Sequence, residues 1–408
     1  MSVTPVTDRS GMRRGPAQNA VFVAAGWWPG IHHPSDGIFV REHAVAVGKL
    51  RPSAVVHLTF TRRIAPFSIR FDESVQDGIV VLTGHITAPV RRFGVHDRLV
   101  RMAYRRAITR LSDRFTFSVA HIHVHTPMTG NLLPVARENK WPVVVTEHST
   151  FYHNGAAFWG EAEQTKFRHR MRRWFADPSI KAVLPVSRDL AKTLVEGYGV
   201  PPGDISVVPN ISAPCFRPRA VATSPPFRIV LAAYWSGNKD PGLFLAALHL
   251  LPDDVKARLR IDWIGDGDLI EPVRNAAARF VAQGIMHFHG RLPKPGLAEF
   301  LAQAHLLVHP TKAENLPCII LESLCCGTPV LSHAVNGVPE LVDDSNGVLC
   351  PPSDPKAFAE ALLNIMEHPG RFDRASIAAR AEERFSGPSV AQRIIAVYDS
   401  IAPAPLGA

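Results

Sequence analysis

From Val21 onward the chain alternates short apolar runs of β-type residues with amphipathic stretches, and this repeat is the strongest constraint on its fold. A parallel strand pair needs a long crossover, usually a helix, so the alternation predicts parallel sheets with helical connections. Candidate strands in the first half are 21–25, 54–59, 79–82, 119–124, 143–146, 182–186 and 205–208. A second series follows at 228–231, 261–264, 286–288, 306–308 and 329–331. A stretch rich in proline and serine separates them. A chain of 408 residues exceeds the usual single domain. The expectation is therefore an α/β chain of two doubly wound domains: a disordered tail over 1–18, a first domain over 19–210, a linker over 211–226, a second domain over 227–385 and a closing helix over 386–408.

Residues 305–350 narrow this further. An apolar run ends at Pro310 and a polar turn; Pro317 then opens a short apolar segment that closes at Gly327, before Pro329 starts another strand. The pattern reads as strand, loop, helix from about 317 to 326, strand. The helix is apolar nearly all round, through Ile319, Ile320, Leu321, Leu324 and Cys325, which predicts burial. Glu322 interrupts that surface and so requires a partner, and Glu314 sits in the loop feeding the helix N-terminus. The N–H groups and dipole of a helix N-terminus suit an anion, most often phosphate, and flanking carboxylates suit hydroxyl donors. A nucleotide sugar is the commonest ligand with both features.

Glu314 and Glu322, with seven residues between them, followed by Gly327-Thr328-Pro329-Val330 and Asn336-Gly337-Val338-Pro339-Glu340, resemble the E-x7-E signature of the retaining family 4 glycosyltransferases of the GT-B fold. The resemblance implies two Rossmann-like parallel-sheet domains facing across a cleft, with acceptor on the first and donor nucleotide on the second. It implies that Glu314 contacts donor-sugar hydroxyls, that Glu322 holds the ribose, and that Asn315, Leu316, Pro317, Cys318 and Ile319 form the loop and helix start at the diphosphate. It also implies that the closing helix crosses back onto the first domain, and that no catalytic metal or other cofactor is needed.

Further matches extend the resemblance along the chain. Gly37, in the turn after the first strand, corresponds to the family's first glycine loop, with one glycine where many members have two. His148, at the end of Thr146-Glu147-His148, corresponds to a histidine that touches the donor sugar. Lys239 matches a lysine on the donor diphosphate, but Tyr234 stands where the family has an arginine, and Arg291 is the candidate to compensate. Gly265 and Gly267 fit the glycine loop beside the nucleotide, and Arg291-Leu292 the segment that meets the base. These residues give the expected site: Lys239, Glu314 and His148 catalytic, the others binding. His121, His123 and His125 alternate along one strand and so are expected to share a face; no metal is assigned to them.

Charge and composition bear on partners and location. Residues 1–210 hold 27 Lys and Arg against 16 Asp and Glu, while the remainder hold 18 against 20, so the net charge of +9 comes from the first half. A basic amphipathic helix between Arg91 and Arg114 and a mixed cationic and aromatic cluster from Lys166 to Phe175 put Arg98, Arg101, Arg105, Arg170 and Arg173 forward as contacts for an anionic membrane surface. No nucleic-acid module is recognised. No apolar run approaches about 18 residues, no signal-like apolar segment follows the N-terminal arginines, and the five cysteines lack paired spacing. The expectation is a cytoplasmic enzyme, peripheral at the inner face of the membrane, with reduced thiols. It transfers a hexose-type sugar from a nucleoside diphosphate sugar to a glycan or lipid-linked acceptor in polysaccharide, lipopolysaccharide or glycolipid biosynthesis. A GT-B epimerase or phosphorylase, or a non-catalytic nucleotide-sugar sensor, is the alternative.

Overall fold

The computed structural model describes residues 18–30, 36–63, 66–89, 95–221 and 225–402. The expected tail therefore lies, Gln18 apart, outside the described residues, as do residues 91–94 of the basic segment. The chain divides into two compact units, one of Met1–Val186, Ala191–Pro209 and Val390–Ala408, the other of Ser187–Leu190 and Asn210–Ser389.

The first unit holds a seven-stranded sheet built from β1 (Gln18–Ala25), β2 (Ser53–Arg62), β3 (Ser68–Gln76), β4 (Ile79–Ala88), β5 (Phe115–His123), β6 (Val143–Glu147) and β7 (Ile180–Pro185), in the order β3-β4-β2-β1-β5-β6-β7. All pairings are parallel except β3 with β4. Sequence reading missed β3: its burial alternates weakly at the sheet edge, so it carries no apolar run. The expected strand over 205–208 is corrected to an isolated bridge, Val183 with Ile205. The central strands read as continuous apolar runs because both faces are covered. Helix Val95–Leu111 covers part of one face with Val100, Tyr104, Ala107 and Leu111, all fully buried, each large side chain contributing about 1.5–3 kcal/mol. The last helix, Gly387–Ile401, brings Tyr398 into this unit, where its hydroxyl meets His121 Nδ1 at 2.5 Å.

The second unit holds β8 (Phe227–Ala232), β9 (Leu259–Ile264), β10 (Met286–Gly290), β11 (Leu306–His309), β12 (Val330–His333) and β13 (Gly347–Cys350), all parallel, in the order β10-β9-β8-β11-β12-β13. Strand β13 was not expected; it has four residues, two of them half exposed. The core packs Trp235, Phe244, Trp263 and Phe358 around β8 and β9. Each sheet changes direction of growth once, between β1 and β5 in the first and between β8 and β11 in the second. In doubly wound sheets ligands bind outside the strand carboxyl ends at that point. All five cysteines are free, and burial pushes the Cys325 and Cys326 thiols up to about 12, so neither forms a thiolate near neutral pH.

Candidate functional site

At the switch point of the second sheet, the loops after β8 and β11 converge. Lys239, from the loop after β8, forms an ion pair with Glu314 Oε1. His309, the last residue of β11, brings Nε2 to 3.0 Å from the same oxygen. Burial would raise the Glu314 carboxyl, but the Lys239 charge and the His309 contact outweigh it and hold the group at about 2. Burial also keeps the His309 imidazole below its ordinary value, hence neutral. A fixed cation and a fixed carboxylate thus stand side by side.

The turn after β12 braces this loop. Asn336, at φ +43°, accepts the Glu314 N–H on Oδ1 at 3.3 Å. A Cβ on Gly337 would lie 1.7 Å from the Asn315 carbonyl oxygen, so no larger residue fits there. Asn315 and Leu316 are buried, and the Leu316 carbonyl accepts Asn210 Nδ2 at 2.9 Å. Pro317 is the N-cap of helix Cys318–Cys325, and no side chain caps that end. The positive end of its dipole is therefore not neutralised by a protein carboxylate at the cap. Glu322 lies in the helix, 4% exposed, and the partners its burial requires include Lys294, whose Nζ is 3.1 Å away.

The remaining expected residues fall in adjacent loops. Gly265 and Gly267 have φ of +114° and +137°, and added Cβ atoms would strike the Ala233 and Trp235 carbonyl oxygens at 1.9 and 2.5 Å. Their absence of side chains allows the loop after β9 to pack on the loop after β8, where the Trp235 N–H donates to the Asp266 carbonyl at 2.7 Å. Tyr234 is 62% exposed, with its hydroxyl 3.4 Å from Asp268 Oδ1. Arg291 is exposed and Leu292 half-buried after β10, and Arg291 forms no ion pair among the described residues. Sequence reasoning gave no role to His309, Asn336 and Lys294, whose contacts with Glu314 and Glu322 only the folded chain defines.

In the first unit His148 is 8% exposed at the end of β6, against the Phe39 ring at 4.5 Å and the rings of His43 and His123 at 5.5 and 6.0 Å. Gly37, at φ +63°, caps helix Ile38–Gly48, and a Cβ there would sit 2.5 Å from the Trp27 carbonyl oxygen. The expectation that His121, His123 and His125 share a face is corrected. Strand β5 stops at His123, and Val124 takes φ +64°, an unfavourable conformation for a β-branched residue, which breaks the alternation. His125 packs instead on Trp174, ring centroids 4.6 Å apart. His43, His123 and His148 are the set that could hold a metal ion among the described residues, with ligand atoms within 4.8 Å of one another. Desolvation lowers His43 to about 4 and His123 well below its ordinary value. His43 Nε2 lies 3.0 Å from the Pro209 carbonyl, to which it donates.

Sequence also gave no reason to single out Glu147, fully buried beside His148. Its Oε1 accepts the His125 N–H at 2.8 Å and the Tyr152 hydroxyl at 2.9 Å, and burial pushes the carboxyl up to about 7. Of the cations expected at a membrane surface, Arg105 is exposed and pairs with Glu138 through Nε and Nη2 at 2.9 and 2.6 Å. Arg98, Arg170 and Arg173 are exposed and Arg101 partly so. Among the described residues no helix is long and apolar enough to cross a membrane.

Comparison with known proteins follows the same division. Residues 31–211 match the family model described as Glycosyltransferase Family 4, and residues 226–368 match that described as Glycosyl transferases group 1. The chain is similar to the D-inositol 3-phosphate glycosyltransferase of Streptomyces bingchenggensis, 32% identical over 51% of this chain and 50% of that one. Its counterpart in Thermobispora bispora is 27% identical over 68% and 69%. The first match thus spans half the length of the relative. Among solved structures, a glycosyltransferase of Rickettsia africae superposes with a TM-score of 0.70 at 12% identity, covering 95% of this chain and 99% of that one. Anabaena HepE in complex with UDP superposes at 0.67 and 16%, covering 94% and 100%. With one family model on each unit and the same architecture in both solved structures, the chain belongs to the family 4 glycosyltransferases and has the GT-B fold.

Proposed function

We propose that this glycosyltransferase moves a hexose-type sugar from a nucleoside diphosphate sugar to an acceptor hydroxyl of a glycan or glycolipid, with retention and without an essential metal. The observation that carries the reading is the Lys239, Glu314 and His309 cluster at the switch point of the second sheet, next to a helix N-terminus without a side-chain cap. Cleavage of the anomeric bond leaves negative charge on the departing diphosphate. A preorganised ammonium and helix N–H dipoles stabilise that charge at no reorganisation cost. On donor binding, Lys239 turns from Glu314 to the diphosphate, and Glu314 takes up a donor-sugar hydroxyl. Glu322, already desolvated beside Lys294, is the acceptor for the ribose hydroxyls.

The leaving phosphate accepts the proton of the attacking hydroxyl, so no enzymic nucleophile is required. His148, packed among the rings of Phe39, His43 and His123, hydrogen-bonds the donor sugar. UDP and UDP-glucose occupy Anabaena HepE, and this supports a uridine donor as the first to test. Arg98, Arg101 and Arg173 supply weak attraction to anionic headgroups, as in enzymes that work on lipid-linked glycans. Calorimetric titration with UDP, GDP and ADP, followed by hydrolysis of the corresponding sugar nucleotides in water, tests the reading. One nucleotide should bind in the micromolar range and its sugar ester should be slowly hydrolysed. Binding of none of the three would refute it.

A further inference from the structure

The first sheet has its own switch point, and a cavity of 810 Å³ opens there. Trp27 reaches it from the loop after β1, Thr126 and Gly130 from the segment after β5, and Ser149 from the segment after β6. The cavity has two unlike sets of lining residues. In one, the indole of Trp159 is 40% exposed, packed at 4.7 Å on Phe151 and 5.3 Å on Phe167, while the Arg170 guanidinium lies 5.5 Å over the Phe167 ring. Arg170 forms no ion pair with a carboxylate among the described residues.

The second set of lining residues is polar. His96, 7% exposed, meets Asp97 Oδ1 with Nδ1 at 3.2 Å, and the same carboxylate oxygen accepts Asn131 Nδ2 at 3.0 Å. The other imidazole nitrogen, His96 Nε2, is buried without a hydrogen-bond partner, and so is Trp174 Nε1. A Cβ on Gly130 would lie 3.0 Å from His125 Nε2 and 3.4 Å from Trp174 Nε1, so a glycine is what lets this turn pack beside those nitrogens. Buried polar atoms left unpaired are costly, and a cavity lined by them suits a ligand that supplies the missing bonds.

Aromatic faces and hydroxyl-binding groups in one cavity match a sugar, whose ring has an apolar face and a rim of hydroxyls. An unpaired guanidinium matches a phosphate. The volume is in the range that holds a ligand of drug size, larger than one hexose requires. We propose that this cavity binds the acceptor, and that the acceptor is a phosphorylated glycan of more than one sugar. One sugar face lies on Trp159 and Phe167, hydroxyls bond to Asp97, His96 and Trp174, and the phosphate pairs with Arg170. The assignment of the ligand as acceptor rests on the transferase reading above, whereas its chemical class rests on the cavity alone. The phosphate can belong to a soluble sugar phosphate or to a lipid headgroup.

Calorimetry on the full chain distinguishes these. The probes are di- and trisaccharide 1-phosphates of glucose, galactose and mannose, their unphosphorylated counterparts, the decyl esters of the phosphates, and dodecyl phosphate. At least one glycosyl phosphate should bind ten-fold or more tightly than its neutral counterpart. Arg170→Ala should erase that difference, and Trp159→Ala should weaken both forms about ten-fold. Both side chains are at the surface, and unchanged thermal unfolding verifies that the variants fold. A decyl ester that binds ten-fold better than the free phosphate identifies a lipid-linked acceptor; equal binding identifies a soluble one.

The proposal is overturned if no phosphate outbinds its neutral partner, if neither substitution changes affinity, or if dodecyl phosphate alone matches the best glycan. Titrating UDP, GDP and ADP into the same samples separates the two readings. Nucleotide binding without glycan binding leaves the transferase and removes the pocket, while the converse leaves the pocket and removes the transferase.

Discussion

Replacing Lys239 with methionine removes one charge and keeps most of the volume, so its consequences follow from the cluster around it. Glu314 is held at about 2 against an ordinary 4.5, a difference worth about 3 kcal/mol at neutral pH. Lys239 and His309 share that contribution, so losing the lysine should destabilise the second unit by about 1–2 kcal/mol at pH 7. A carboxyl with a depressed pKa contributes its full stability above its unfolded value and loses it as pH falls through the folded one. The difference between wild type and variant should therefore be constant from pH 7 to about pH 5 and shrink below pH 4.5. Urea unfolding at a series of pH values measures this directly.

Turnover should fall separately, by about 10² to 10³, the usual effect of deleting one preorganised donor at a developing charge. Lys239→Arg should recover most of the stability, since charge remains, and little of the turnover, since the guanidinium fork does not match the ammonium position. A methionine variant with unchanged turnover would refute the catalytic role. Unchanged unfolding at pH 7 would refute the ion pair.

Glu322→Gln should raise the dissociation constant for the nucleoside diphosphate about ten-fold, measured by calorimetry, with a smaller change in turnover. Prolonged treatment with EDTA, followed by a donor-hydrolysis assay, should leave the rate within about two-fold; a loss restored by a divalent ion would implicate the His43, His123 and His148 set. Gly267→Ala must force a Cβ to 2.5 Å from the Trp235 carbonyl oxygen at φ +137°, and should destabilise by more than the about 1 kcal/mol of an ordinary glycine replacement and abolish nucleotide binding. Glu147→Gln should stabilise the protein increasingly as pH rises from about 4.5 to about 7, the range in which the unfolded carboxyl ionises while the folded one stays protonated. An acid with a raised folded pKa costs stability as soon as its unfolded form ionises, here by up to about 3 kcal/mol above about pH 7. Unfolding curves at pH 6 and 9 that show the same difference between the two proteins would contradict this.

The central parallel strands were legible in the sequence because they are buried on both faces and so written as nearly continuous runs of Val, Ile, Leu and Ala, whereas the short parallel edge strand β13 was not. Strand β3 was not, since an edge strand needs no such run: Arg70, Asp72 and Glu73 tolerate solvent there while the backbone pairs with β4. The helix beginning at Cys318 was legible within one residue at each end, from a proline before it and from Gly327 after it. Gly327 takes φ +72° with the Arg374 carbonyl 2.5 Å from where a Cβ would be.

The site was legible where function imposes residue types and illegible where it depends on packing. Lys239 and Glu314 lie 75 positions apart, and motif spacing suggested both without suggesting that they touch. Their contact exists because β8 and β11 are neighbours at the point where the sheet reverses its order of growth, so the loops leaving them must meet. The same logic operates in the first unit, where β1 and β5 are neighbours and the loops after them line the aromatic cavity. There the sequence carried the raw material, cations and aromatics between Lys166 and Phe175, which composition alone assigned to a surface. Topology turns one edge of helix Glu161–Phe175 inward, so that Phe167, Arg170 and Trp174 line a cavity while Arg173 stays outside it. A single amphipathic segment thus has two different chemical faces, and a charge count along the chain cannot separate them, because the separation is made by which strands are adjacent.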